Sequence, residues 1–284
     1  MKQTTPVHRT ARGSSRAASH SRIVRHNPSL EARERGEPYR WSSGTVLLRA
    51  HPTPGRGLRL STDIASAGGN HTPFILDTGS TATWLSWGSP LARDAFVDPT
   101  NTCRVDYGSA AQGHWGYVPS PMMGPLRGPD MPVALHRERH TLHSAANVIG
   151  FPQFFNTQME HKNGSWLLRS GSDRLPPVPK GWETVTFIPG LPLVRLLDPS
   201  GRQTVALVDT GAPHNYALRG APRGTYKLWS ADGKATLEVP VQRTGPYPRT
   251  NLWGYDVTLL IGMDWLATQN WRMTFDRGTW AFQP

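Results

Sequence analysis

Phe74-Ile75-Leu76-Asp77-Thr78-Gly79-Ser80 and Ala206-Leu207-Val208-Asp209-Thr210-Gly211-Ala212 carry the same tripeptide, Asp-Thr-Gly, directly behind an apolar run. In a chain of ordinary composition and this length one copy arises by chance about once in twenty sequences, so a pair in like surroundings is informative. The surroundings do repeat. Asn147-Val148-Ile149-Gly150-Phe151-Pro152-Gln153-Phe154 follows the first copy, and Leu259-Leu260-Ile261-Gly262-Met263-Asp264-Trp265-Leu266 follows the second. Both place aliphatics before a glycine that begins a short segment with bulky residues at helical spacing. An internal duplication of this kind predicts two similar structural units.

The rest of the chain reads as short strands separated by turns. Thr45-Val46-Leu47-Leu48 and Leu58–Leu60 lead through Gly68-Gly69-Asn70 into the Asp77 strand, and Leu193–Leu197 and Thr204–Val208 flank Asp198-Pro199-Ser200-Gly201-Arg202 as a hairpin delivering Asp209. A second hairpin is expected at Ala231-Asp232-Gly233-Lys234. The 26 prolines and 28 glycines fit short strands better than long helices. A linker is expected within residues 160 to 182, from Asn163-Gly164, Gly171, Pro176, Pro177 and Pro179. The expected organisation is a disordered basic tail over 1–40, a first lobe over 41–178 and a second over 179–284.

The tail holds +6 of the net charge of +11 and few aliphatics, so it cannot bury enough apolar surface to offset chain entropy. Deleting it is expected to leave the thermal midpoint unchanged. An organellar transit peptide and a basic pro-segment are its other readings. Basic residues interleaved with Ser, Thr, Ala and His, without an aromatic or Lys-rich binding motif, do not predict specific nucleic-acid binding. No apolar run is long enough to span a bilayer and no apolar segment follows the N-terminus, so no membrane partner is expected.

With these elements in place, the chain resembles aspartic proteases of the pepsin and retropepsin type over roughly residues 42 to 284. Trp84 stands after Asp77 as a tryptophan does in pepsin-like enzymes. Val105-Asp106-Tyr107-Gly108-Ser109, with Gly113 and Gly116-Tyr117, is similar to their flap hairpin, although shorter and with one glycine fewer. Ile261–Leu266 running to Thr274-Phe275-Asp276-Arg277 is similar to their closing strands. The resemblance implies a mostly β, two-lobed acid-protease fold, each lobe a barrel-like set of short strands, with a catalytic cleft between. It also implies an endopeptidase acting on polypeptides in extended conformation, needing no cofactor and no metal, and working as a monomer because both motifs lie on one chain. Pepsins that are secreted carry several cysteines. This chain has Cys103 alone, which fits a reducing, cytoplasmic compartment or a bacterial-type relative.

Hydrolysis by water needs a base to take the attacking proton and an acid for the oxyanion and amine. Two close carboxylates cannot both ionise cheaply, and together they hold one proton over a pH window. Asp77 and Asp209 are the candidates for that pair. The resemblance implies that Thr78 and Thr210 cross-bond to the opposite loop; a glycine at 79 and 211 lets the backbone turn tightly and approach the carboxylate, and Ser80 is placed to donate to Asp77. Tyr107 and Gly108 would close over substrate, with Trp84 behind them. Because position 212 is alanine, Asp209 is the expected holder of the proton.

Other clusters point less well. His136, His140 and His143 lack a zincin-like spacing, and Arg137 and Arg139 disfavour a cation. Cys103 has no nucleophile context, and Asp264 reads as a helix-start or salt-bridge carboxylate. Two rival readings stay open: a peptide-binding protein of the same fold without catalysis, and an interaction protein acting through its basic arm.

Overall fold

The protein is described here by a computed structural model covering residues 28, 31–32, 35, 37–53, 57–107, 109–136, 147–171, 176–188, 190–230, 232–233, 236–248, 250–252 and 254–283. It is mostly β. The first lobe opens as a meander in which β1 (Gly44–Thr53), β2 (Gly57–Ala65) and β3 (His71–Asp77) pair antiparallel in turn. In β3 the pleat buries Thr72, Phe74 and Leu76 on one face, as alternation of the sequence demands. There follow β4 (Trp84–Ser86), the long hairpin of β5 (Phe96–Tyr107) and β6 (Ser109–Val118), the small hairpin of β7 (Met122–Met123) and β8 (Leu126–Arg127), then β9 (Met131–His136) and β10 (Asn147–Gly150). β11 (Thr157–Lys162) and β12 (Ser165–Ser170) form a further hairpin whose turn uses positive φ at Asn163 (50°) and Gly164 (79°).

The second lobe contains β13 (Glu183–Thr186), β14 (Leu193–Leu197), β15 (Gln203–Val208), β16 (Tyr216–Arg219), β17 (Gly224–Trp229), β18 (Thr236–Val241), β19 (Arg243–Pro248), β20 (Thr250–Leu252) and β21 (Tyr255–Ile261). One turn of helix, α1 (Met263–Leu266), leads to β22 (Trp271–Thr274) and β23 (Thr279–Phe282).

The duplication seen in the sequence is a duplication of topology. β10 inserts between β3 and β4, parallel to the first with Gly150 opposite Asp77 and antiparallel to the second with Val148 opposite Trp84; β9 then lies parallel to β4. β21 inserts in the same way between β15 and β16, with Val208 opposite Ile261 and Tyr216 opposite Leu260, and β19 lies parallel to β16. Inserted strands are covered on both faces, which is why Asn147–Gly150 and Val257–Ile261 are buried without alternation.

The lobes share strands. One 15-stranded sheet includes the run β13-β23-β22-β11-β12-β1, so the closing strands of the chain pair with β11 of the first lobe. Aromatic residues fill this junction: Phe151 meets Phe275 edge-on at 5.5 Å, Phe187 stacks on Trp280 at 5.8 Å, and Trp166 meets Trp271 at 5.6 Å. A second sheet of eight strands belongs to the second lobe. No helix among the described residues is long and apolar enough to cross a membrane.

Three details differ from the sequence reading. Packing begins before residue 41: Tyr39 is buried, its hydroxyl donates to Pro129 O at 2.9 Å, and burial followed by the nearby Asp130 charge raises its pKa far above a free phenol's. The Arg35 and Glu37 N–H groups also close helical turns onto Glu31 and Ala32. Composition hid this because one aromatic ring anchors a segment otherwise poor in apolar residues. A deletion of residues 1–40 would remove that ring and lower stability. The segment read as a linker begins with the β11–β12 hairpin, for Asn163-Gly164 is its turn. The flap-like hairpin, read from Val105 to Tyr117, runs from Phe96, since a bulge between Val97 and Thr102 lets pairing continue past Asp98 and Pro99. Ala231 and Lys234, at the second expected hairpin turn, lie outside the described residues.

Glu160 ties the junction electrostatically. Its Oε2 accepts from Arg169 Nη1 at 2.8 Å and from Arg272 Nε at 2.7 Å, while Arg272 Nη1 also reaches Pro177 O at 2.6 Å. Burial alone would raise the Glu160 carboxyl, but the Arg272 hydrogen bond and the two guanidinium charges outweigh it and hold the carboxyl below its usual range. The folded value is depressed, so the stabilisation is complete above the unfolded value of about 4.3 and is lost as pH falls through the folded one. Glu160→Gln is expected to cost about 2–3 kcal/mol at neutral pH, because two arginines lose their charged partner. Urea unfolding should show the gap to wild type narrowing below about pH 4.

Candidate active site

Asp77 ends β3 and Asp209 follows β15, so each carboxylate is delivered by a strand lying against the inserted strand of its own lobe. The loops meet back to back. Thr78 N–H donates to Thr210 Oγ1 and Thr210 N–H donates to Thr78 Oγ1, both at 3.1 Å. Each hydroxyl then donates onward across the junction, Thr78 to Val208 O at 2.6 Å and Thr210 to Leu76 O at 2.9 Å. Both threonines are fully buried, so these groups have no water to fall back on.

The glycines are needed for room. A Cβ at Gly79 would come within 2.5 Å of Asp209 Cγ, and one at Gly211 would lie against Asp77 Cγ. Each glycine therefore makes space for the opposite carboxylate while its own N–H donates, at 2.8 Å, to the Oδ1 of the aspartate two residues earlier. Gly150 and Gly262 repeat the logic one layer down. Side chains there would strike the carbonyl oxygens of Ala82 and His214, which stand five residues after each aspartate.

Asp209 is pushed well above an ordinary aspartate. Burial is the largest cause, then the Asp77 charge and the hydrogen bond the two carboxyls share, with the N–H groups of Gly211 and Ala212 pulling the other way. Ser80 does not do what the sequence reading expected. Its hydroxyl donates to Ala82 O at 2.7 Å and closes its own loop, whereas Ala212 N–H donates to Asp209 Oδ1 at 3.1 Å. The raised value of Asp209 thus comes from burial and Asp77, not from a missing hydroxyl at position 212.

Trp84 is buried on β4, edge-on to His136 at 5.8 Å, in a cluster with Ala82, Cys103, Trp115, Ala134 and Val148. Tyr107 ends β5 opposite Ser109, and Gly108 lies outside the described residues. The Cys103 thiol is buried and pushed up to about 11, which keeps it protonated. Among the described residues no group of three or more His, Cys, Asp or Glu could hold a metal; His140 and His143 lie outside them.

Three contributors escaped the sequence reading. Thr83 and Asn215, each six residues after its aspartate, accept the N–H of Gly150 (3.1 Å) and of Gly262 (2.8 Å) and so brace the loops. Tyr216 occupies the place in the second lobe that Trp84 has in the first. Counting forward from both aspartates would have found all of them. Asp264, read as a helix-start or salt-bridge residue, is both: it stands in the first turn of α1 and faces His214 at 3.1 Å.

No protein-family model matches the chain, and no curated protein does. Among solved structures it is similar to the aspartic proteinase from Irpex lacteus, with a TM-score of 0.60 and 11% identity, over 85% of this chain and 97% of that one. At this identity the likeness shows the fold: a two-lobed β architecture of the pepsin-like kind.

The threonine exchange should behave as one unit. Thr78→Val and Thr210→Val are each expected to cost about 2–3 kcal/mol in denaturant unfolding, since a buried N–H and a buried carbonyl lose their partners. The double variant should cost less than the sum by about 1 kcal/mol or more.

Proposed function

We propose that the chain is an aspartic-type endopeptidase that hydrolyses peptide bonds by a water held between Asp77 and Asp209. The observation that carries this reading is the mutual fit of the two Asp-Thr-Gly loops, in which each glycine makes room for the opposite carboxylate. A turn capped by its own aspartate would need neither the exchange of threonine hydrogen bonds nor that clearance.

In the proposed reaction the shared proton starts on Asp209, whose carboxyl is raised by burial and by Asp77. Asp77 takes a proton from water as its oxygen attacks the scissile carbonyl carbon, and Asp209 gives its proton to the carbonyl oxygen. The tetrahedral diol then collapses: the C–N bond breaks, the nitrogen receives the proton held by Asp77, and the hydroxyl returns one to Asp209. No charge separates far from the pair, which is what two carboxyls with one proton supply. Substrate would lie extended across the two loops, held by backbone hydrogen bonds under the β5–β6 hairpin, in which Tyr107 pairs with Ser109. Trp84 would support that hairpin from β4. One chain supplies both aspartates, so a monomer suffices.

Asp77→Asn and Asp209→Asn are each expected to lower cleavage of a denatured protein at least about a thousandfold while the thermal midpoint stays near wild type, because neither carboxyl alone is both acid and base. Activity should extend above the usual aspartate range of about 4, since loss of the Asp209 proton sets the upper limb of the pH profile. Full turnover in either variant would overturn the reading. A wild-type chain that binds a transition-state-mimicking inhibitor but cleaves nothing would be a peptide binder instead.

A further inference from the structure

The two halves of the repeat correspond contact for contact through most of each loop. Phe151 N–H donates to Ser80 O, and Met263 N–H to Ala212 O, both at 2.9 Å. In the first lobe the bracing residue Thr83 donates onward to Gln153 Oε1 at 2.7 Å, a neutral contact between buried side chains. The second lobe differs here. Asp264 Oδ1 accepts Asn215 N–H at 3.1 Å, its Oδ2 faces His214 Nδ1 at 3.1 Å, and its own N–H donates to Pro213 O at 3.0 Å. Pro152 stands where Asp264 does and Ala82 where His214 does, so the Asp264–His214 clasp belongs to the Asp209 loop alone.

The clasp is not there for stability. His214 and Asp264 side chains are 22% and 47% exposed, and a polar contact that open contributes about 0–1 kcal/mol. Its importance lies in what it holds. Ala212 is bound on both sides: its carbonyl by Met263, next to Asp264, and its N–H to Asp209 Oδ1. The position of α1 therefore sets how closely a backbone donor approaches the carboxylate. The other groups facing His214 are the Tyr216 ring, edge-on at 5.9 Å, and behind it Arg243, which hydrogen-bonds Tyr216.

We propose that Asp264 and His214 are positioning residues for Asp209, fastening α1 to residues 212–215 so that the Ala212 N–H stays on the Asp209 carboxylate. As a statement about reaction rate this rests on the endopeptidase reading; as a statement about Asp209 it does not. The Ala212 N–H lowers the pKa of Asp209, so loosening it must raise that pKa further.

The test follows the Asp209 carboxyl by NMR in protein labelled with carboxyl-13C aspartate, the signal being identified by its loss in Asp209→Asn. It is combined with kcat, KM and the thermal midpoint. Asp264→Ala is expected to move the Asp209 titration upward by about one unit. It should also lower kcat about tenfold with KM within about twofold of wild type. Asp264→Asn keeps an acceptor for Asn215 N–H and should recover most of both effects, with His214→Gln intermediate. Gln153→Met, in the neutral brace of the first lobe, should leave the Asp209 titration in place. If Asp264→Ala lowers the midpoint yet leaves that titration unmoved, or if Asn recovers nothing, the residues are merely structural and the proposal is overturned. Should Asp264→Ala not fold, His214→Gln decides alone: an upward shift supports the proposal and an unmoved titration overturns it. A wild-type protein without cleavage, in which Asp264→Ala still shifts Asp209, upholds the positioning role and removes only the endopeptidase reading.

Discussion

Four hydrogen bonds, two exchanged between Thr78 and Thr210 and two from their hydroxyls to Val208 O and Leu76 O, are the constraint from which the site follows. They are reciprocal, so neither loop can adopt its conformation while the other is absent. Because both threonines are buried, each unmade bond would leave a polar group in an apolar place, and the loops are held to one relative position. Bringing two carboxylates together is unfavourable in itself. The exchange of threonine contacts is what offsets that repulsion, and the elevated proton affinity of Asp209 is its visible cost.

The same constraint explains features far from the loops. A pair of loops fixed to each other needs lobes that do not slide, and the run of strands from β13 to β1 supplies this by making the end of the chain part of the first lobe's sheet. Glu160 with its two arginines, and the aromatic contacts of Phe151, Phe187, Phe275, Trp271 and Trp280, fill the seam. Within each lobe the inserted strand performs the corresponding task. Gly150 and Gly262 let β10 and β21 press against the loop carbonyls so closely that no side chain fits.

Duplication left the halves alike where backbone geometry is demanded and free to differ elsewhere. The glycines, threonines and loop-bracing acceptors match. Ser80 and Ala212, Pro152 and Asp264, and Ala82 and His214 do not. Each mismatch sets a residue beside the Asp77 loop against a different one beside the Asp209 loop, so the asymmetry of a nearly symmetric site resides in its supports.

Much of this was legible in the chain. The repeated Asp-Thr-Gly, the apolar runs ahead of it and the Ile-Gly segments after it announce paired β lobes, because strand periodicity and turn chemistry are local properties. The requirement for Gly79 and Gly211 was legible as well, though not its reason, since the atom that each must avoid lies about 130 residues away on the opposite carboxylate. Tyr39 was misassigned to the tail because burial depends on what the rest of the chain provides, here Pro129 and the surface around it. Ser80 was given the wrong partner for a related reason: a hydroxyl donates to whichever acceptor the fold brings nearest, and the Ala82 carbonyl is nearer than any spacing rule can say. Residue type and order determine which strands and turns form. Only the closing of one lobe on the other decides which polar atoms meet, because those distances are set by packing between segments that the sequence keeps apart.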